Sequence, residues 1–288
     1  MKQQVDIEVA EAVDEIREVV GSWKKQGKAV GLVPTMGALH SGHLSLIRRA
    51  VENADEVVVS IYVNPTQFGP DEDYEEYPRQ LEDDIKKCRE EGVGAVFCPS
   101  DEIMYEDREY LSIQIDQLNE TMCGASREGH FEGVLQIVNK LFNVVKPDLA
   151  VFGQKDIQQY ILIEQMVREF KHDIRLIQGD IVRANDGLAV SSRNRYLSDE
   201  QRTIAPGLYR SLRYLKQQLG PDVDNVSLMI RHQQDELEAK GFEIDYLNIF
   251  DYKTLEPIEQ MESDHTYILA GAVYLGETRL IDNMLLRI

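Results

Sequence analysis

Cysteine is scarce in this 288-residue sequence: Cys88, Cys98 and Cys123 are its only three, at spacings that suit neither a disulfide framework nor a tetrahedral zinc site. Reduced thiols are expected. Basic residues are also outnumbered, 31 Lys and Arg against 51 Asp and Glu, which leaves a net charge of -20 and no basic cluster to attract a phosphate backbone. No nucleic acid partner is expected. No run approaches the eighteen or more apolar residues of a membrane-spanning helix, and the acidic N-terminal segment has no signal-peptide layout, so no membrane partner and a cytoplasmic location are expected. Internal repeats and low-complexity tracts are missing as well.

What is present is ordinary globular material, 43% hydrophobic and 28% charged, long enough for two domains. Strand-like runs at 29–34, 57–63, 95–98, 149–152 and 174–182 alternate with helical patterns near 10–26, 43–53, 78–91, 131–145 and 156–170. Such alternation predicts an α/β domain with a mostly parallel sheet and helices on both faces, over residues 1–182. Beyond it the pattern changes. Two helices, at 199–219 and 225–240, the first interrupted at Pro206, precede strand-like runs at 244–250, 266–274 and 279–287, the last two forming a hairpin through Gly276-Glu277. A smaller α+β C-terminal domain over 183–288 is expected.

The stretch from Val33 to Ile47 reads as a strand that empties through a glycine turn into a helix, with His40 and His43 at the helix mouth. Unpaired amides and the positive end of the helix dipole stabilise phosphate there, and Gly37 and Gly42 let backbone approach a ligand. Two imidazoles three positions apart on one side of that turn are placed to donate to phosphate oxygens during transfer. A lone histidine at such a place is more often a cap. The pair within H-x-G-H is similar to the signature of the nucleotidyltransferase superfamily.

Further segments fall at strand ends. Gln67 follows the strand at 57–63, where ligands of open α/β sheets bind, and its carboxamide offers a hydroxy acid both a donor and an acceptor, against the plainer reading that Asn64-Pro65 simply starts a turn. Gly153-Gln154-Lys155-Asp156 opens a second helix with a point charge for phosphate, and Gln159 lies in its first turn. Ser191-Ser192-Arg193 supplies two hydroxyls and a guanidinium suited to β- and γ-phosphates, against the plainer reading of a solvated connecting loop. Asp83 and Asp84 on a carboxylate-rich helix are candidates to share Mg²⁺ with a triphosphate, against the plainer reading of a solvated acidic face. Arg127 and His130 precede the core helix at 131–145, in position for a lid.

The order of these motifs, from Pro34 to His43, Val63 to Gly69, Tyr77-Pro78-Arg79, Gly129-His130-Phe131, Phe152 to Gln159 and Ser191 to Ser198, resembles the pantoate-β-alanine ligase family over most of the chain. The resemblance implies a Rossmann-like nucleotidyltransferase domain with a C-terminal lid domain, a homodimer, ATP as substrate with Mg²⁺, and pantoate and β-alanine as the other substrates. It implies that Pro34, Thr35, Met36, Gly37, Ala38, Leu39, His40, Ser41, Gly42 and His43 hold ATP together with Gly153, Gln154, Lys155, Asp156, Val182, Val190, Ser191, Ser192 and Arg193. His40, His43, Lys155 and Arg193 would carry the chemistry, while Gln67 and Gln159, with Asn64, Arg127 and His130, would take pantoate or β-alanine. Gln154 departs from the pattern, because many members carry Glu there. Another adenylyl- or cytidylyltransferase shares the triphosphate grip, but has no need of the matched glutamines 67 and 159.

Overall fold

The structure, a computed structural model, describes residues 7–70, 72–105, 110–220, 223 and 225–288. In chain order the elements are β1 (Glu8–Ala10), α1 (Val13–Lys25), β2 (Val30–Thr35), α2 (Ser41–Val51), β3 (Glu56–Ile61), α3 (Leu81–Glu91), β4 (Ala95–Phe97), α4 (Asp101–Met104), α5 (Met122–Ser126), α6 (His130–Val145), β5 (Leu149–Gly153), α7 (Ile157–Glu169) and β6 (Arg175–Gly179). There follow α8 (Asp199–Ile204), α9 (Gly207–Gln218), α10 (Val226–Glu238), β7 (Glu243–Asp251), β8 (Thr266–Leu275) and β9 (Thr278–Arg287). Two compact units result. The first comprises residues up to 115 with 127–153 and 162–180, and the second comprises 116–126, 154–161 and 181–288.

In the first unit six strands form one sheet in the order β1-β4-β3-β2-β5-β6, every neighbouring pair parallel. β-Branched runs such as Val57-Val58-Val59 suit strands covered on both faces, and the helices bring the cover. Val33, Leu39, Ile47, Val59, Cys88 and Val151 are part of one buried cluster. Burial pushes the Cys88 thiol up to about 12, so it behaves as a small hydrophobe. The central strand β2 sits between β3 and β5, and its carboxyl end leads into the turn before α2.

The second unit carries an antiparallel sheet, β7-β8-β9, whose apolar face packs with α9 and α10 around Leu208, Leu212, Leu247 and Leu269. The helix expected over 199–219 is two helices. Pro206 stands between them, at φ -64°, and starts α9 rather than continuing α8. The second unit runs from 181 to the C-terminus and also takes in two shorter segments, 116–126 and 154–161. Residues 116–126 and 154–161 are tied to each other by the buried Gln158, which donates to Leu118 O and Thr121 O and accepts from the Gly124 amide, and to the C-terminal part by Thr121 Oγ1 donating to Leu255 O and Asn283 Nδ2 donating to Gln154 O. A three-residue strand, β1, stands where the sequence suggests only helix and loop; it is too short to show alternation.

Candidate active site

The turn after β2 is built by sequence. Gly37 has φ +80° and Ala38 φ +51°, a left-handed pair that reverses the chain between strand and helix. A side chain at Gly37 would meet Asp84 Oδ2 and Ile61 Cγ2 at 3.0 Å, so glycine is required for space as well. Thr35 Oγ1 bonds Ser60 O at 2.8 Å and accepts from the Gly37 amide at 3.2 Å.

His40 is the N-cap of α2. Its Nδ1 accepts from the Gly42 amide at 3.1 Å, and the Nδ1 of His43 accepts from the His40 amide at 3.4 Å. The rings stack with centroids 4.1 Å apart. An imidazole whose Nδ1 accepts carries its neutral-form proton on Nε2. Backbone amides therefore orient two Nε2–H donors at the mouth of the helix, the arrangement that developing phosphate charge requires.

Asp84 is not available to a cation. Its side chain is buried, with Oδ2 accepting from the Ala38 amide and Oδ1 from the Leu39 amide, each at 2.8 Å, while Lys87 Nζ bonds Leu39 O at 2.8 Å. Asp83 is half exposed and paired with Lys87 at 2.6 Å. Among the described residues no three His, Cys, Asp or Glu side chains group to hold a metal ion. Asp84 clamps the turn between β2 and α2. Sequence reasoning took the acidic first turn of α3 for a solvated face or a cation site because its amide partners lie 45 and 46 positions upstream.

Gln67 lies in a one-turn 3₁₀ segment, Pro65–Gln67, beyond β3. Its Oε1 accepts from Asn64 Nδ2 at 3.1 Å, which turns Nε2 toward Met36, with Sδ at 2.9 Å. Asn64, buried, is itself fixed: Nδ2 also donates to Gly133 O at 3.1 Å, and Oδ1 accepts from Tyr105 at 2.6 Å and from Thr66 at 3.1 Å. Gly133 inside α6 makes this approach possible, since a Cβ there would lie 2.3 Å from Thr66 O. Tyr105 and Gly133 were not legible as site residues, although an isolated glycine in a helical run is a sign of close packing.

Arg127 and His130 form a bonded pair at the start of α6. Arg127 grips Glu72 through two bonds of 2.6 and 2.7 Å and donates to His130 Nε2 at 2.7 Å. A guanidinium only donates, so His130 Nε2 accepts and its Nδ1–H donates to Gln67 O at 2.6 Å. The pair buttresses Gln67 from its backbone side. Burial opposes ionisation of Glu72, but the Arg127 guanidinium outweighs it and holds the carboxyl below the usual value of 4.5.

The second unit holds the remaining candidates. Gln154–Asp156 form a 3₁₀ turn after β5, with Lys155 Nζ 3.5 Å from Asp156. Gln159, half buried, follows in the first turn of α7 beside the buried Gln158. The Val190 amide bonds Val182 O at 2.9 Å, bringing those two residues together. Ser191 then caps a short 3₁₀ helix, Ser192–Tyr196, its Oγ accepting from the Arg193 amide at 3.3 Å.

A family model described as pantoate-beta-alanine ligase matches residues 8–285. Pantothenate synthetase from Pseudomonas putida KT2440 is 47% identical over 280 residues, covering 96% of this chain and 96% of the relative. The Clostridium novyi enzyme of the same name is 45% identical over 277 residues, covering 96% and 97%. Among solved structures, pantothenate synthetase from Thermus thermophilus aligns with TM-score 0.88 at 40% identity over 96% of this chain and 99% of that one. A pantoate-beta-alanine ligase from Francisella tularensis, complexed with beta-gamma ATP and beta-alanine, aligns with TM-score 0.81 at 34% identity over 97% of each chain. With the H-x-G-H turn and its capped imidazoles inside the matched span, this chain belongs to the pantoate-beta-alanine ligase family.

Proposed function

We propose that this chain condenses pantoate with β-alanine at the expense of ATP, releasing AMP and pyrophosphate through a pantoyl-adenylate intermediate. The observation that carries the reading is the pair of Nε2 donors held at the start of α2 by backbone amides. A pantoate carboxylate oxygen attacks the α-phosphorus and the bond to the bridging oxygen breaks, so that negative charge moves onto the departing pyrophosphate. His40 and His43 donate to oxygens that gain this charge; Lys155, Ser191, Ser192 and Arg193 act on the phosphates. Residues 34–43, Gly153–Asp156, Val182 and Val190 complete the nucleotide's contacts. In the second step the β-alanine amine attacks the acyl carbon, the bond to AMP breaks and the amine loses a proton.

Gln67 and Gln159 take pantoate. With Oε1 already bonded to Asn64, Gln67 offers Nε2–H, which suits a carboxylate or hydroxyl oxygen. Mg²⁺ enters as MgATP, carried by the triphosphate, whose oxygens and water supply most of its ligands. The protein acts in the cytoplasm as a homodimer.

The test is direct. Purified protein should release pyrophosphate from MgATP when pantoate is added and should release AMP over many turnovers only when β-alanine is present. Absence of pantoate-dependent pyrophosphate release would overturn the reading. His43→Ala and Lys155→Ala should each lower the first half-reaction by about 10²-fold or more while leaving the circular dichroism spectrum intact.

A further inference from the structure

Two consecutive buried residues of β9, Asp282 and Asn283, lie outside every candidate site segment, yet each holds one of the two phosphate segments proposed for the second unit. Asn283 Nδ2 donates to Gln154 O at 2.9 Å and to Lys155 O at 3.0 Å, and Gln154 Nε2 returns a bond to Asn283 Oδ1 at 3.1 Å. The carbonyls of the turn that carries Lys155 are thereby tied to a sheet strand. Asp282 takes both Nη atoms of Arg183, one at 2.8 Å, and its Oδ1 also accepts from the Asn283 amide at 2.7 Å. Arg183 in turn bonds Gly187 O at 3.1 Å, lies 4.2 Å over the Tyr209 ring and pairs with Ala189 across a small hairpin that delivers Ser191 to Arg193.

We propose that Asp282 and Asn283 are positioning residues of the adenylation step, one strand fixing both the turn that carries Lys155 and the hairpin that delivers Arg193. This rests on the function proposed above. The physical argument is rigidity: the 3₁₀ turn and the hairpin are short, and charge stabilisation demands that a cation be held within a few tenths of an ångström, so an anchor on a sheet strand adds to what their own bonds supply. The β9 strand supplies it, being paired with β8 along its whole length from Thr278 to Arg287. Gln154 takes part in a way glutamate would not, because a carboxylate has no hydrogen to donate to Asn283 Oδ1.

The experiment places Asn283→Asp and Asn283→Ser each alone and on a Lys155→Ala background, and measures single-turnover pyrophosphate release, pantoate dissociation and melting temperature. Asn283→Asp keeps the volume but turns an acceptor toward two carbonyls. A displaced Lys155 predicts that either substitution lowers the single-turnover rate by roughly 10²-fold when Lys155 is present. On the Lys155→Ala background the further loss should be less than about threefold, since the group being positioned is gone. Pantoate dissociation should stay within about twofold throughout. An equal loss on both backgrounds, or none with Lys155 present, overturns the proposal. If neither Asn283 variant folds, Gln154→Leu, which removes the returning bond, replaces them on the same two backgrounds and is read by the same criterion, the Lys155-dependent part of the loss. Wild-type protein without pantoate-dependent pyrophosphate release would instead overturn the functional reading itself.

Discussion

Asp84 and Ala38 lie 46 positions apart in sequence and 2.8 Å apart in space, the buried carboxylate accepting from the amide of a residue with φ +51°. A buried carboxylate and a left-handed backbone amide meet in one bond. Asp84→Asn keeps the shape but can accept on one side only, so either the Ala38 or the Leu39 amide faces an NH₂ group. A loss of about 1–3 kcal/mol in urea unfolding is expected, with slower adenylation. The Mg²⁺ concentration for half-maximal rate should not move; a marked increase would return Asp84 to the list of cation ligands.

Gly133→Ala should be costly for its size. The new methyl would lie 2.3 Å from Thr66 O and 2.8 Å from the Gln67 amide, forcing the segment that carries Gln67 to shift. Destabilisation of about 1–3 kcal/mol is expected from overpacking. Pantoate KM should rise more than ATP KM, and equal changes in the two would separate Gly133 from pantoate recognition.

Gln67→Ala and Gln159→Ala should impair pantoate use with ATP binding largely kept, because a buried hydroxy acid is left with unpaired polar groups. Calorimetric titration with ATP distinguishes the two outcomes. A fall in ATP affinity matching that for pantoate would assign these glutamines to the nucleotide.

The Glu72–Arg127 pair gives a pH signature. Glu72 is held below 4.5 in the folded chain, so its contribution is present above the unfolded value and is lost as pH falls through the folded one. The melting-temperature difference between wild type and Glu72→Gln should be constant from pH 7 to about 5, then shrink below about pH 4.5 as the wild-type carboxyl protonates. A difference that grows on acidification contradicts this ordering.

Arg193 should act on the rate of adenylation more than on ATP affinity, because charge reaches the departing pyrophosphate only as the bond breaks. Arg193→Lys should restore part of the single-turnover rate lost in Arg193→Ala, a point charge replacing a fork. Hydrogen exchange over residues 186–197 should slow when ATP is added. Unchanged exchange together with an unimpaired Arg193→Ala rate would reduce this segment to a connector.

Helices α2, α6 and α7 and the long hairpin β8-β9 were legible because their signals are local: apolar spacing, a capping residue, Gly276 at the turn. The H-x-G-H turn was legible for the same reason. What sequence hid is what depends on distant partners. Asn283 meets Gln154 across 129 positions, and Arg127 meets Glu72 across 55, so no window of sequence contains either pair. The charge on α3 misled in the same way, since a carboxylate's burial is decided by what folds over it.

Each histidine of the H-x-G-H turn has two ring nitrogens, Nδ1 bonded to one of the chain's own amides and Nε2, which the proposed function assigns to phosphate. An alanine scan therefore records the sum of a structural and a chemical loss and cannot divide it. Asparagine and glutamine can. At position 40 asparagine retains an acceptor at the reach of Nδ1 and so keeps most of the cap, worth about 1 kcal/mol, while surrendering the outer donor. Glutamine extends a donor to the reach of Nε2 and surrenders the cap. The same two replacements at position 43 complete a small matrix in which folding and phosphate chemistry are varied one at a time.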